Sequence, residues 1–401
     1  MDRSVNHSRN IAFYFSVFAL YFAALVPFYG GLNRIALYIV LPVAFLLTFI
    51  SYTPINSGRV ALFPNRYLKI LLILYAWIVF TGLFASDLSL AFRQYRQLLG
   101  CFLVCYLLSY HFKNRNNPAV LLYTTYVLLY IAVFYYAINN IMEVIDIGDE
   151  RVNDAKLNAN EFAYFTFCFT YSIFILADIV KSRYLIIALR IAFLLTIPLS
   201  FYVAIISASR QVLVIQFPLI VFLLYYRYLK NAKRIRKFVF IILSVGVILF
   251  SWNYVESVYS GSFLKQRTEQ QIEDDARPRL MLDAIKVGIK HPIFGVGPGN
   301  YILYSYRGQF SHCSFTELFA NDGFPGVIIY LYLLIYFCIN QIKRYRLYKK
   351  NMFLYFFAFG IIFFIAQLFY VYYIAQWLIG FFILVASHSE TYYQRVLEST
   401  L

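Results

Sequence analysis

Ionisable side chains are scarce in this sequence, and acidic ones especially so: 401 residues contain 19 Asp and Glu against 35 Lys and Arg, and only 5 His. The long apolar runs between Ile11 and Ala386 hold almost no acids or histidines, and Asp178 and His111 stand near the ends of theirs. Proton-coupled transporters usually carry such groups mid-membrane, so a pump is disfavoured. Cysteine is equally sparse, and Cys101, Cys105, Cys168, Cys313 and Cys338 have the spacing of neither a disulfide framework nor a zinc site. No Asp-x-Asp pair offers a divalent-metal site, and no Walker, His-Glu-x-x-His or Gly-x-Ser-x-Gly motif occurs. The turn Gly295-Val-Gly-Pro-Gly299 follows no βαβ pattern and carries Pro, so it reads as a structural turn rather than a dinucleotide loop. Neither a metal nor a cofactor is expected.

Apolar residues make up 62% of the chain and charged ones 13%. Apolar runs recur at 11–30, 36–52, 68–85, 97–112, 118–141, 162–180, 191–207, 211–227, 238–254, 324–341, 352–371 and 373–387. Each is close to the ~20 residues a spanning helix needs. Runs this continuous suit helices rather than barrel strands. The expectation is an all-α, polytopic integral membrane protein of about twelve transmembrane helices, residues 1–401 forming one transmembrane domain. The first run follows Arg3 and Arg9, is longer than a signal-peptide core and lacks a clear cleavage site, which predicts an uncleaved first helix.

The net charge of +16 would suggest nucleic acid in a soluble protein, but here the basic residues crowd short loops. They set orientation, and no nucleic-acid partner is expected. The dense clusters Arg227 to Lys237 and Lys343 to Lys350 fall on one side of the alternating spans, so the positive-inside rule places both termini in the cytoplasm. Two outer stretches are then too long for turns: the acidic Glu143 to Glu161, and a large loop, 252–323, between the ninth and tenth spans. In the second, Pro278 marks a break, Leu280 to Ile289 is expected as a short amphipathic helix on the membrane, and Asp322-Gly-Phe-Pro325-Gly326 opens the tenth span.

Ionisable groups gather on this outer side. Arg210, in Ser207-Ala-Ser-Arg-Gln211, reads either as an interfacial anchor or as an anion ligand. Arg277 and Arg279 suit either phosphate or the nearby Glu273, Asp274 and Asp275. His312, in Ser311-His-Cys-Ser-Phe-Thr-Glu317, reads either as a polar loop residue or as a proton acceptor near neutral pH. Tyr301, Tyr304 and Tyr306 are candidates for stacking on sugar rings, and Glu317 joins Tyr301, Tyr304 and Arg277 as a candidate substrate contact.

The run His291-Pro-Ile-Phe-Gly-Val-Gly-Pro-Gly-Asn-Tyr301, then His312, then Glu317-Leu-Phe-Ala-Asn-Asp-Gly-Phe-Pro-Gly326 resembles the signature of the bacterial O-antigen ligase and O-antigen polymerase family. Ser209-Arg210 is similar to the family's Ser-Arg at an outer helix end, Arg279 to its Arg before the turn, and Asn158-Ala-Asn-Glu-Phe-Ala163 to its Asn-rich helix entry. Cys313 stands where the family usually has Asn, and Asp283 where an aromatic is common. The resemblance implies a GT-C-like fold in the bacterial inner membrane and a metal-independent, inverting glycosyltransferase with an extracytoplasmic site. Its substrate would be an undecaprenyl-diphosphate-linked oligosaccharide, with membrane lipids and a chain-length regulator protein as further partners. By resemblance, Arg210 and Arg279 hold diphosphate and His312 activates the acceptor. Polymerisation is the leading expectation on family breadth; ligation to lipid A–core is the alternative, and a glycolipid flippase is the rival of another class.

Overall fold

The structure, a computed structural model, describes residues 3–29, 33–52, 65–114, 118–145, 159–206, 210–230, 232–234 and 276–400. It is 85% helical, with no strand among the described residues. Helices fall on eleven of the twelve apolar runs; the ninth, 238–254, lies outside the described residues, as do 146–158 of the acidic stretch. Helices within Ser8–Val26, Arg66–Phe84, Ala119–Asn139, Arg183–Ala204 and Ser314–Tyr348 are long and apolar enough to cross a membrane. In Arg183–Ala204 only 22% of the most apolar window is buried in the protein. An apolar face left bare in this way is suited to lipid.

The chain divides into two compact units, residues 1–129 with 275–401, and 130–274. In the first, α1 (Arg3–Tyr29) packs on α2 (33–52, with a π-turn at Ala36–Val40), and α2 packs on α4 (Leu88–Asn114). The helix α3 (Arg66–Thr81) begins at Asn65, whose Oδ1 accepts from the Leu68 N–H at 2.8 Å. A cap of this kind contributes about 1 kcal/mol. The second unit holds most of α5 (Ala119–Ile145), with α6 (Ala159–Ile179), α7 (Arg183–Ile206) and α8 (Arg210–Leu224, continued by a π-turn at Tyr225–Leu229). There Gln216 donates to Thr170, and Arg227 pairs with Asp178 at 2.6 Å while lying over the Phe174 ring.

The first unit is completed by α9 (Ala276–Lys290), α10 (Ser314–Tyr348), α11 (Asn351–Ala366) and α12 (Gln376–Glu398). Here α12 lies along α4, and α10 packs on α3, α9 and α11. Its core is aromatic: Phe382 meets Phe337 at 5.2 Å and Phe363 at 4.9 Å between ring centroids. Such pairs contribute about 0.5–1.5 kcal/mol beyond burial.

Three boundaries differ from the sequence reading. Pro278 is no break, because α9 starts at Ala276 and accommodates the proline in its first turn, where its missing N–H costs nothing. The start of α4 is Leu88 rather than 97, so Arg93 and Arg96 stand on helix, not in a loop. The tenth span is preceded by helix from Ser314, and the two pieces meet at Gly323 (φ 72°, ψ −176°). Pro325 then falls in the opening turn of the second piece, as Asp322-Gly-Phe-Pro-Gly326 suggested.

Contacts in this unit sort helix ends into two groups. At one end Asn65 Nδ2 donates to Ser109 Oγ at 2.6 Å and to Ser387 Oγ at 2.8 Å, Arg9 reaches the Ser51 carbonyl, and Arg344 pairs with Glu390 at 2.6 Å. At the other end Ser86 and Tyr304 share a hydrogen bond at 2.8 Å, and Arg34, Arg93 and Gln376 line one cavity.

Candidate functional site

The segment 291–299 reverses the chain between α9 and the short 3-10 helix Asn300–Leu303. Its backbone is held against the first piece of α10: Val296 N donates to the Ala320 carbonyl at 2.9 Å, Gly297 N to that of Asn321 at 2.8 Å, and Phe324 N to that of Pro292 at 2.8 Å. The approach is so close that a Cβ on Gly323 would collide with the Ile293 carbonyl, and one on Gly295 with the Asn321 backbone. Both glycines have positive φ, so two independent requirements fix their identity. Phe294 stacks on Phe84 at 4.2 Å, docking the turn on the end of α3.

Buried amides join this turn to its surroundings. Asn300 Oδ1 accepts from the Asp87 N–H at 2.6 Å, and its Nδ2 donates to the Asp87 carbonyl at 3.1 Å. Asp87 is itself occupied, accepting from the Ser89 N–H at 2.7 Å; bonding to Ser89 holds its carboxyl below the ordinary range. Asn321 Oδ1 accepts from the Tyr301 N–H at 2.8 Å, and its Nδ2 donates to Glu317 Oε1 at 3.0 Å. Asp322 accepts from Thr81 Oγ1 at 2.7 Å through its side chain and from Trp77 Nε1 at 2.8 Å through its carbonyl, fastening the helix break to α3.

Glu317 and Tyr301 lie within this scaffold rather than on its surface. Glu317 is 4% exposed, and its Oε2 accepts from the Ser311 N–H at 2.6 Å. Tyr301 is fully buried among Ala284, Val287, Val296 and Ala320, and its hydroxyl donates to the Leu280 carbonyl at 2.6 Å. Burial pushes that phenol up to about 12, so it remains a donor at neutral pH. Tyr304, by contrast, is 45% exposed.

The loop carrying His312 is anchored on both sides. Ahead of it, Ser311 is held by Glu317; behind it, Ser314 N donates to the Gln367 carbonyl at 2.9 Å, and Ser314 Oγ accepts from the Tyr372 N–H at 2.9 Å. Between these anchors His312 has φ 60°, a left-handed conformation uncommon outside glycine, although His, like Asn and Asp, enters it more often than other side chains. Its ring packs on Phe310 at 4.2 Å. Strain of order 1–3 kcal/mol persists only where the surroundings over-determine it, and it gathers at functional sites. Glu317→Ala is expected to cost about 2–3 kcal/mol, since it strips acceptors from the Ser311 N–H and the Asn321 amide. Thermal unfolding in detergent should show a Tm lower by several degrees, with Glu317→Gln intermediate.

The guanidinium of Arg279 is exposed and lies over the Tyr306 ring at 4.6 Å, and that of Arg307 lies over the same ring at 5.4 Å. Asp283 leans to Lys286 at 3.6 Å, and among the described residues Arg279 has no carboxylate partner. One aromatic therefore gathers two cations, and guanidinium N–H donors are of the kind that suit oxyanions. Arg277 is half-buried on the same first turn of α9. The side chain of Arg210 lies outside the described residues, as do those of the Asn158 to Ala163 motif. The sequence reading missed Arg307, Asn300 and Asn321, although the two asparagines stand inside the motifs it quoted.

These features define a class: an all-helical membrane protein in which the segment 276–313 presents a left-handed histidine and aromatic-backed arginines. The comparisons are more specific. Residues 191–331, which include Arg210, Arg279 and His312, match the family model described as O-antigen ligase, a similarity that supports the O-antigen ligase and polymerase family. Members of that family are glycosyltransferase-like enzymes acting on lipid-linked glycans. No curated protein matches the chain.

Proposed function

We propose that the protein is a surface-polysaccharide polymerase, transferring a growing glycan from undecaprenyl diphosphate to a sugar hydroxyl of another lipid-linked repeat unit on the outer face of the inner membrane. The observation that carries this reading is the coincidence, in one segment, of the family match over 191–331 with the left-handed His312. The acceptor hydroxyl attacks the anomeric carbon, the bond from that carbon to the diphosphate oxygen breaks, and undecaprenyl diphosphate leaves. His312 takes the hydroxyl proton, and Arg279 with Arg210 offsets the charge growing on the diphosphate. Attack opposite the leaving group inverts the anomeric configuration, and no step calls for a metal. Tyr304 and Arg277 contact the glycan or its diphosphate from the outer surface, while Tyr301 and Glu317 act beneath it as positioning residues. A chain-length regulator is the expected protein partner. Orientation with both termini cytoplasmic is supported by the basic clusters, since Arg9, Arg66 and Arg344 stand at the end of the first unit opposite the loop.

The second reading is ligation to lipid A–core, favoured by the family model's description as an O-antigen ligase. The two are separated in vitro with purified protein and its native lipid-diphosphate repeat unit, with and without lipid A–core, on a glycan ladder gel. A ladder without core, lost in His312→Ala and Arg210→Ala, is the expected result. Product only with core replaces the polymerase with the ligase, and no product in either tube favours a flippase, which the family match does not support.

A further inference from the structure

Apart from the His312 loop, the first unit contains an open cavity of about 310 Å³ that the proposed reaction leaves unused. Its lining includes Arg34 and Tyr38 from α2, Arg93, Arg96 and Gln97 from the opening turns of α4, and Gln376, the first residue of α12. All three arginines are exposed, and among the described residues none is paired with a carboxylate. Asp87, just before α4, is committed to Ser89. Three like charges around one cavity repel one another, and an oxyanion converts that repulsion into attraction. The start of α12 adds to the same field: its N-cap is Ala375, which has no side-chain acceptor to offer, so the positive end of a 23-residue helix stands beside the cavity.

The cavity is at the small end of ligand sites, the scale of one or two phosphoryl groups rather than an oligosaccharide. Guanidinium forks match phosphate bidentately, which selects this anion over a halide. The helix α2 also carries apolar surface: Ile35, Ile39, Val43, Leu46 and Ile50 are all exposed at spacings of three and four, making one stripe along the helix. The helix that supplies Arg34 thus also carries exposed apolar side chains that suit the hydrocarbon of a lipid.

We infer that Arg34, Arg93 and Arg96 form a binding site for the phosphate or diphosphate headgroup of a membrane lipid, separate from the residues assigned to transfer. Within the proposed reaction, on which this last step rests, it seats the acceptor lipid. Both acceptors considered, a second lipid-linked repeat unit and lipid A–core, are phosphorylated lipids.

The test uses full-length protein in phosphatidylcholine nanodiscs, in an Arg279→Ala background that weakens the donor site. Undecaprenyl phosphate and inorganic pyrophosphate are the two probes, with bound probe counted by native mass spectrometry. Adding Arg93→Ala and Arg96→Ala is expected to reduce undecaprenyl phosphate binding at least tenfold, with Arg34→Ala acting in the same direction. Arg93→Gln with Arg96→Gln gives the same reading if the alanine pair fails to fold. Unchanged lipid binding overturns the site, and pyrophosphate binding as tight as the lipid overturns its assignment to a lipid headgroup. The transfer reading fails separately: an inactive wild type whose lipid binding still depends on the arginines keeps this site and loses the polymerase. Normal ladder synthesis with arginine-independent binding does the reverse.

Discussion

Replacing His312 with glycine is expected to abolish glycan transfer and leave the fold intact. The residue has φ 60°, where glycine is at ease and alanine is not, so His312→Gly removes the imidazole without adding backbone strain. Loss of a general base costs roughly 10²–10⁴ in rate. On the ladder assay this removes visible polymer, while thermal unfolding should place the variant close to the wild type, relief of the backbone strain offsetting the lost contact with Phe310. His312→Ala should lose transfer equally and unfold somewhat earlier, because it keeps the strain but loses the contact with Phe310. Activity within a few-fold of wild type in the glycine variant would remove His312 from the chemistry and leave it a loop residue.

The largest effect on stability is expected at Gly323. Its φ and ψ of 72° and −176° lie in a region that essentially only glycine occupies, and a Cβ there would strike the Ile293 carbonyl. Gly323→Ala should therefore cost about 3 kcal/mol or more. Relief would require the 291–299 turn to lift from α10, releasing the Phe324 N–H from the Pro292 carbonyl. Low yield of folded protein, or a Tm many degrees below wild type with transfer lost, is the expected outcome. Gly308 provides the contrast: it too has positive φ, but no atom lies near its absent Cβ, so Gly308→Ala should be far milder.

The helices were legible because a continuous apolar run of sufficient length is a strong signal, and that signal is written in composition. Helix starts were less legible. Hydropathy sees the apolar part of α4 from 97 onward but not the arginine-bearing turns from Leu88, since Arg93 and Arg96 lower the apparent hydrophobicity without breaking the helix. Pro278 misled in the opposite way: proline stops a helix from inside yet fits its first turn, and sequence alone does not say which side of the boundary it occupies.

The candidate site divides similarly. His312 and Arg279 were visible because their side-chain chemistry is distinctive. Asn300 and Asn321 were not singled out, since their importance comes from which backbone groups they meet, and those partners stand far away in the chain at Asp87 and at Tyr301. Tyr301 and Glu317 show the converse: a tyrosine and an acid in a loop read as surface contacts until burial and hydrogen bonding place them inside. The tri-arginine cavity draws on three helices separated widely in sequence, and no local pattern announces it.

The most direct test of the central claim is stoichiometric. Purified protein in proteoliposomes is supplied with its lipid-diphosphate repeat unit, and released undecaprenyl diphosphate is measured against glycosidic bonds formed. The account predicts one released per bond, with both falling together in His312→Gly; lipid-linked repeat units that cross the bilayer intact, with no undecaprenyl diphosphate released, would contradict it.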